Sequence, residues 1–166
     1  FINKVPSFGK SFICIDNKNN RDLLKKIKIK NFYTYGENSK SQFHIKNIKQ
    51  VKNYSEYDLV INLPGKKNII INKIKIPLLG KHNILNSTAA VAVALTIGIS
   101  KNVIKNGLKE FKGVQRRFNK IFTHRETSFY DDYAHHPTEI KEVLSGIRAA
   151  YKKEEVICVF QPHRIS

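Results

Sequence analysis

Apolar and polar positions follow two periods along this chain, and the changes of period mark its elements. Lys10 to Asp16 is a short apolar run closed by polar residues, which predicts a buried strand. Asn19 to Ile27 has helical spacing, with Asn20 or Asn19 as its N-cap. Asn31–Tyr35 and Ser41–Ile48 read as further strands divided by the turn Gly36-Glu37-Asn38. Tyr57–Leu63 and Asn68–Ile76 are rich in β-branched residues and are separated by Pro64-Gly65. The clearest helix is Asn83–Ile97, entered through Gly80-Lys81-His82 and ended by Gly98. A second helix, Lys101–Phe111, has Ser100 as its cap.

Composition and charge both change near Phe111-Lys112-Gly113, which predicts a domain boundary there. Beyond it the pattern gives a strand pair, Phe118–His124 and Ser128–Asp132. A helix from Pro137 to about Tyr151 and a strand at Val156–Phe160 follow. The whole reads as α/β, without internal repeats or low-complexity linkers.

With 166 residues the chain is one ordinary domain or two pieces of larger ones. It has no starting Met and no cleavable signal pattern, and it reads as part of a longer protein. No apolar run approaches the ~18–20 residues of a membrane-spanning helix. Cys14 and Cys158 sit in apolar strand-like runs and read as small buried hydrophobes, so a cytoplasmic setting is expected. The formal charge of +17 raises a nucleic-acid-binding module as an alternative. Its distribution argues against a polyanion groove: residues 1–112 carry 21 basic and 6 acidic side chains, the remainder 9 and 7. The lysines are dispersed among Asn and Ile, all with AT-rich codons, so base composition alone can produce the excess. Neither a nucleic acid nor a membrane is expected as a partner.

Strand 127–132, helix 137–151 and strand 155–160 have the length of a βαβ unit. Such a crossover would bring Asp131, Asp132, Tyr133, His135 and His136 to the same sheet edge as Gln161, His163 and Arg164. Ligands of open α/β sheets bind at that edge. Pro137 and Glu139 suit a helix N-terminus, whose free N–H groups attract anions. Asp131 or Asp132 could instead cap the strand, and His136 could be a helix-entry residue. A zinc site from His135, His136 and His163 is disfavoured, since adjacent histidines diverge and no cysteine supports it. In Gly80-Lys81-His82-Asn83-Ile84-Leu85-Asn86, the carboxamides of Asn83 and Asn86 share one helix face and could match an adenine edge, or could serve as caps. Arg116 and Arg117, beside Gly113, suit phosphate or ribose contact.

Four stretches, FINKVPSFGKSFICIDN, GKHNILNSTAAVAVA, FKGVQRRF and DDYAHHPTEI followed by VFQPHR, together resemble the Mur ligase family. The resemblance implies the later part of a central ATP-binding domain in residues 1–112 and the start of a Rossmann-like C-terminal domain in 113–166. It implies an ATP- and Mg²⁺-dependent amide-forming ligase of peptidoglycan synthesis. ATP would lie against His82, Asn83, Asn86, Arg117 and Asp132, and the incoming amino acid against Tyr133, His135, His163 and Arg164. Gln-Pro-His-Arg is more similar to members that add L-alanine to UDP-N-acetylmuramate than to those that recycle a murein tripeptide, where Glu-Pro-Arg-Ser is usual. The phosphate loop GxxxxGK(S/T) and the family's magnesium ligands have no counterpart in this sequence and are expected upstream. No catalytic residue and no metal ligand is therefore assigned within the chain, and the oligomeric state is left open.

Overall fold

The computed structural model describes residues 2–28 and 31–162. Its larger part is a five-stranded sheet in the order β1 (Ser11–Cys14), β2 (Phe32–Gly36), β3 (Phe43–Val51), β4 (Tyr54–Ile61) and β5 (Ile69–Ile76). The first two pairings are parallel and the last two antiparallel. Three helices accompany it: α1 (Lys18–Leu24), α2 (Lys81–Thr96) and α3 (Lys101–Glu110).

β4 alternates strictly, with Ser55, Tyr57, Leu59 and Ile61 buried, as expected of a central strand packed on one face. Onto that face α2 lays Ile84, Ser87, Thr88, Val91 and Ala92, a stripe at helical spacing. Two of the five are polar, and the core satisfies both. Ser87 Oγ donates to the Ile84 carbonyl at 2.9 Å and meets the Tyr57 hydroxyl at 2.8 Å, while Thr88 Oγ1 donates to the same carbonyl at 2.8 Å. Unpaired, each would cost roughly 1–3 kcal/mol.

Asp58 organises the middle of the sheet. One oxygen accepts from Asn47 Nδ2 at 2.7 Å and the other from the Lys73 N–H at 2.8 Å. Asn47 and Lys73 both have positive φ, and each flanking strand carries one extra residue there. These bulges reset the alternation, so that the buried positions of β5 run Ile71, Ile74, Ile76.

The turn after β2 is held from β1: Asp16 accepts the Glu37 and Asn38 N–H groups at 3.0 and 2.9 Å. A Cβ on Gly36, at φ +140°, would collide with that carboxylate. The chain then loops through six residues and resumes parallel to β2, and Thr34 and Gln42 exchange side-chain hydrogen bonds across the gap. The cap of α1 is Asn17, which accepts from Asn19 N, rather than Asn19 or Asn20; Asn20 donates instead to the Cys14 carbonyl.

Beyond Gly113 a hairpin, β6 (Asn119–His124) with β7 (Thr127–Asp131), is followed by α4 (Pro137–Ala150). The strand expected at 156–160 does not form. A strand requires a ladder, and among the described residues β7 pairs only with β6. The run lies beside α4 instead, with Ile157 and Val159 exposed. Cys158 is accordingly exposed and Cys14 only half-buried, which corrects the expectation of two buried thiols. Among the described residues no helix is long and apolar enough to cross a membrane.

Candidate active site

Two polar clusters meet where α4 crosses the beginning of α2. α2 starts at Lys81, two residues earlier than its apolar pattern suggested, with Gly80 as its cap. Lys81 is ion-paired with Glu37, just past the carboxyl end of β2, so the helix end stands at the edge where the parallel strands finish. The half-buried His82 ring folds back over Gly80, and its Nδ1 is buried with no hydrogen-bond partner among the described residues. Burial holds its pKa below the ordinary imidazole value, against the opposing pull of Glu142 and Asp132. His82 is therefore a neutral imidazole near pH 7, with one polar atom unspent.

Asn83 donates to the Leu79 carbonyl at 2.7 Å, the local capping use that its position allowed. Asn86 is exposed and sits a full turn further on, so the two carboxamides are not both in the first turn.

The second cluster is the loop between β7 and α4. Asp132 accepts the Phe118 N–H and the Ala134 N–H, each at 2.7 Å, and so ties the arginine-bearing turn to the strand end. Asp131 pairs with Arg116 at 3.3 Å, and the Arg116 guanidinium lies over the Tyr133 ring at 5.0 Å. Of the two aspartates, Asp131 is thus committed to a salt bridge. Asp132 holds backbone and keeps further lone pairs for a ligand.

Tyr133 and His135 meet edge to face at 5.3 Å, and His135 Nδ1 lies 3.1 Å from the Tyr133 carbonyl. His136 is the helix-entry residue: its ring accepts from Thr138 N, and Glu139 reaches back to the His136 N–H, which completes a capping box. The backbone N–H groups of His135 and His136 hold the Glu139 carboxyl below the usual glutamate range.

The structure thus brings His82, Arg117 and Asp132 into one electrostatic neighbourhood, with Glu139 and Glu142 beside them. Tyr133 and His135 lie on the adjoining loop. His163 and Arg164 lie outside the described residues. Among the described residues no group of three or more His, Cys, Asp or Glu side chains comes together to hold a metal ion.

Three residues at this junction escaped the sequence reading: Glu142, Gly146 and Tyr151. A Cβ on Gly146 would lie 2.7 Å from the Gly80 Cα, so α4 touches the cap of α2 backbone to backbone. A lone glycine inside a helical pattern was the available signal.

Against known proteins, residues 1–94 match the Mur ligase middle domain and residues 116–165 the Mur ligase glutamate ligase domain. The chain belongs to the Mur ligase family. It is 81% identical to the UDP-N-acetylmuramate–L-alanine ligase of Pelagibacter ubique (strain HTCC1062), and it covers 36% of that relative while being matched along its whole length. Among solved structures, the UDP-N-acetylmuramate–alanine ligase MurC of Thermotoga maritima superposes with a TM-score of 0.66 at 30% identity, over 80% of this chain and 30% of that one. MurF of Acinetobacter baumannii does so with 0.68 at 25% identity, over 82% and 28%. The chain therefore spans about a third of the length of these relatives.

Proposed function

We propose that this chain supplies the junction of an ATP-dependent ligase that joins L-alanine to UDP-N-acetylmuramate in peptidoglycan synthesis, in the cytoplasm. The observation that carries the reading is that α4 packs on Gly80 at the start of α2, with Arg117 and Asp132 from beyond Gly113 in electrostatic reach of His82, at a sheet edge suited to a nucleotide. In this reading residues 1–112 belong to the central ATP-binding domain and residues 113–166 open the C-terminal one. Gly113, at φ +80° against Leu78, lies at the joint.

The residues suit ATP chemically. The neutral His82 ring can pack beside a purine and the exposed Asn86 carboxamide can pair with its edge, with Asn83 holding the turn. Asp132 can accept ribose hydroxyls, and the Arg117 guanidinium matches phosphate oxygens. Tyr133 and His135, with His163 and Arg164 further along, would hold L-alanine. A bidentate Arg164–carboxylate pair fixes the amino acid and leaves its amine free. The UDP-N-acetylmuramate carboxylate becomes an acyl phosphate at the expense of ATP. The amine adds to its carbonyl, and phosphate leaves from the tetrahedral intermediate. Mg²⁺, when bound with the ATP, neutralises phosphate charge.

The test is phosphate release by the full-length enzyme with ATP, Mg²⁺ and UDP-N-acetylmuramate, comparing L-alanine with murein tripeptide. Turnover with L-alanine alone is expected; turnover with tripeptide alone would overturn the substrate assignment. His135→Ala or Arg164→Ala should raise the apparent KM for L-alanine far more than that for ATP, and Asp132→Ala should act mainly on ATP.

A further inference from the structure

We propose that Gly146, Tyr151 and the Lys52–Glu154 pair form a docking seam that sets the spacing between the start of α2, with His82, and the Asp132–His135 loop. They act as positioning residues rather than as ligand contacts. The proposal rests on the functional reading above.

Contacts at two ends make the seam. At its buried end, Gly146 of α4 packs on Gly80; a Cβ there would stand 2.7 Å from the Gly80 Cα and 2.9 Å from its nitrogen, backbone atoms with little freedom to yield. Gly80 is itself fixed, with φ +95° and its N–H donated to Gln50 Oε1 at 3.3 Å. At the open end, the Tyr151 hydroxyl donates to the Lys52 carbonyl at 2.9 Å, at the tip of the β3–β4 hairpin. The Tyr130 hydroxyl lies 3.1 Å from that of Tyr151 and ties β7 to the same point. Beside it Lys52 is ion-paired with Glu154, and its ammonium stands 5.9 Å from the centre of the Tyr151 ring. The Tyr151 phenol is pushed up to about 12, by burial first and then by Tyr130, so it stays a donor throughout the physiological range.

The geometry has a directional consequence. α4 is clamped near its C-terminal end, at Gly146 and Tyr151. Its N-terminal half then brings Glu142 and Glu139, with Asp132 of the preceding loop, within electrostatic reach of His82. A small displacement at Gly146 tilts everything upstream of it, and misplacement by about 1 Å can cost a hundredfold in rate.

Helix stability alone predicts the opposite result for one substitution, which makes it the test. Alanine is the stronger helix former, so Gly146→Ala should leave α4 unchanged or firmer if Gly146 is merely a helix residue. The seam predicts that this variant of the full-length enzyme loses on the order of a hundredfold in kcat/KM for both ATP and L-alanine. It also predicts faster backbone amide exchange at residues 80–84 and 147–151, with exchange in β4 unaltered. A second arm reverses the ion pair: Lys52→Glu and Glu154→Lys should each lose roughly fivefold, and the double variant should recover. Unchanged exchange in Gly146→Ala, or changed exchange with full activity, would overturn the positioning role. So would a double variant no better than the singles. If the wild-type enzyme does not use L-alanine, the functional reading fails, and the exchange arm still decides whether the seam exists.

Discussion

The buried apolar core lies wholly between Ile13 and Ile104, whereas past residue 112 the one buried residue among those described is Gly146. The two regions contain similar side chains and differ in what covers them. In the first, α2 and α3 close over the sheet, and residues such as Tyr57, Leu59 and Ile74 are fully enclosed. In the second, the stacked pairs Phe122–Phe129 and Phe118–Tyr130 stand on an open hairpin, and Ile157 and Val159 face outward. The lesson concerns dependence. The first region determines its own shape, and the second takes its placement from the first, through a contact made possible by two missing side chains.

Truncations of matched chemistry sharpen this contrast most. Leu59→Ala should destabilise by about 2–5 kcal/mol in chemical denaturation. Ile121→Ala, at the hairpin bulge and 61% exposed, should stay within about 0.5 kcal/mol. Equal costs would mean that the second region buries its apolar surface after all. A smaller effect is expected at the helix entry: His136→Ala removes the cap of α4 and should cost about 1 kcal/mol, read as faster amide exchange confined to the first turn of that helix.

The smallest effect is that of pH on His82. Its folded pKa lies below the ordinary 6.5, because burial disfavours the imidazolium more than Glu142, Asp132 and Glu139 support it, with Arg117 adding to the depression. The unfolded chain therefore binds the proton more readily. The stability His82 contributes is complete above 6.5 and is lost as the pH falls through the folded value. His82→Gln should flatten the stability profile in that window, and an unchanged slope would show that another group titrates there.

Much of the fold was legible because local signals agreed with one another. Pro64-Gly65 separated β4 from β5, Gly98 closed α2, and Pro137 opened α4. Ser87 and Thr88 disguised the buried stripe of α2, since their hydroxyls are paired with Ile84 and Tyr57, which a hydrophobic pattern does not record. The run at 156–160 has strand composition but no ladder partner, and pairing is a tertiary matter that composition cannot supply. At the site, the family resemblance pointed to His82 and Asp132, but not to the packing of Gly146 on Gly80, more than sixty residues away, that joins α4 to α2.

The bulges flanking Asp58 also bear on which changes of length the sheet can absorb. Deleting one residue between Lys46 and Lys49 would remove the extra residue and let β3 pair regularly along β4, with Gln50 still opposite Ser55 on the face that meets Gly80. Deleting Asn72 or Lys73 would straighten β5 in the same way and put Ile71, Ile74 and Ile76 in plain alternation. Insertions have room in the 62–68 connection, whereas one more residue within the reach of that carboxylate would turn over the stretch of strand beyond it.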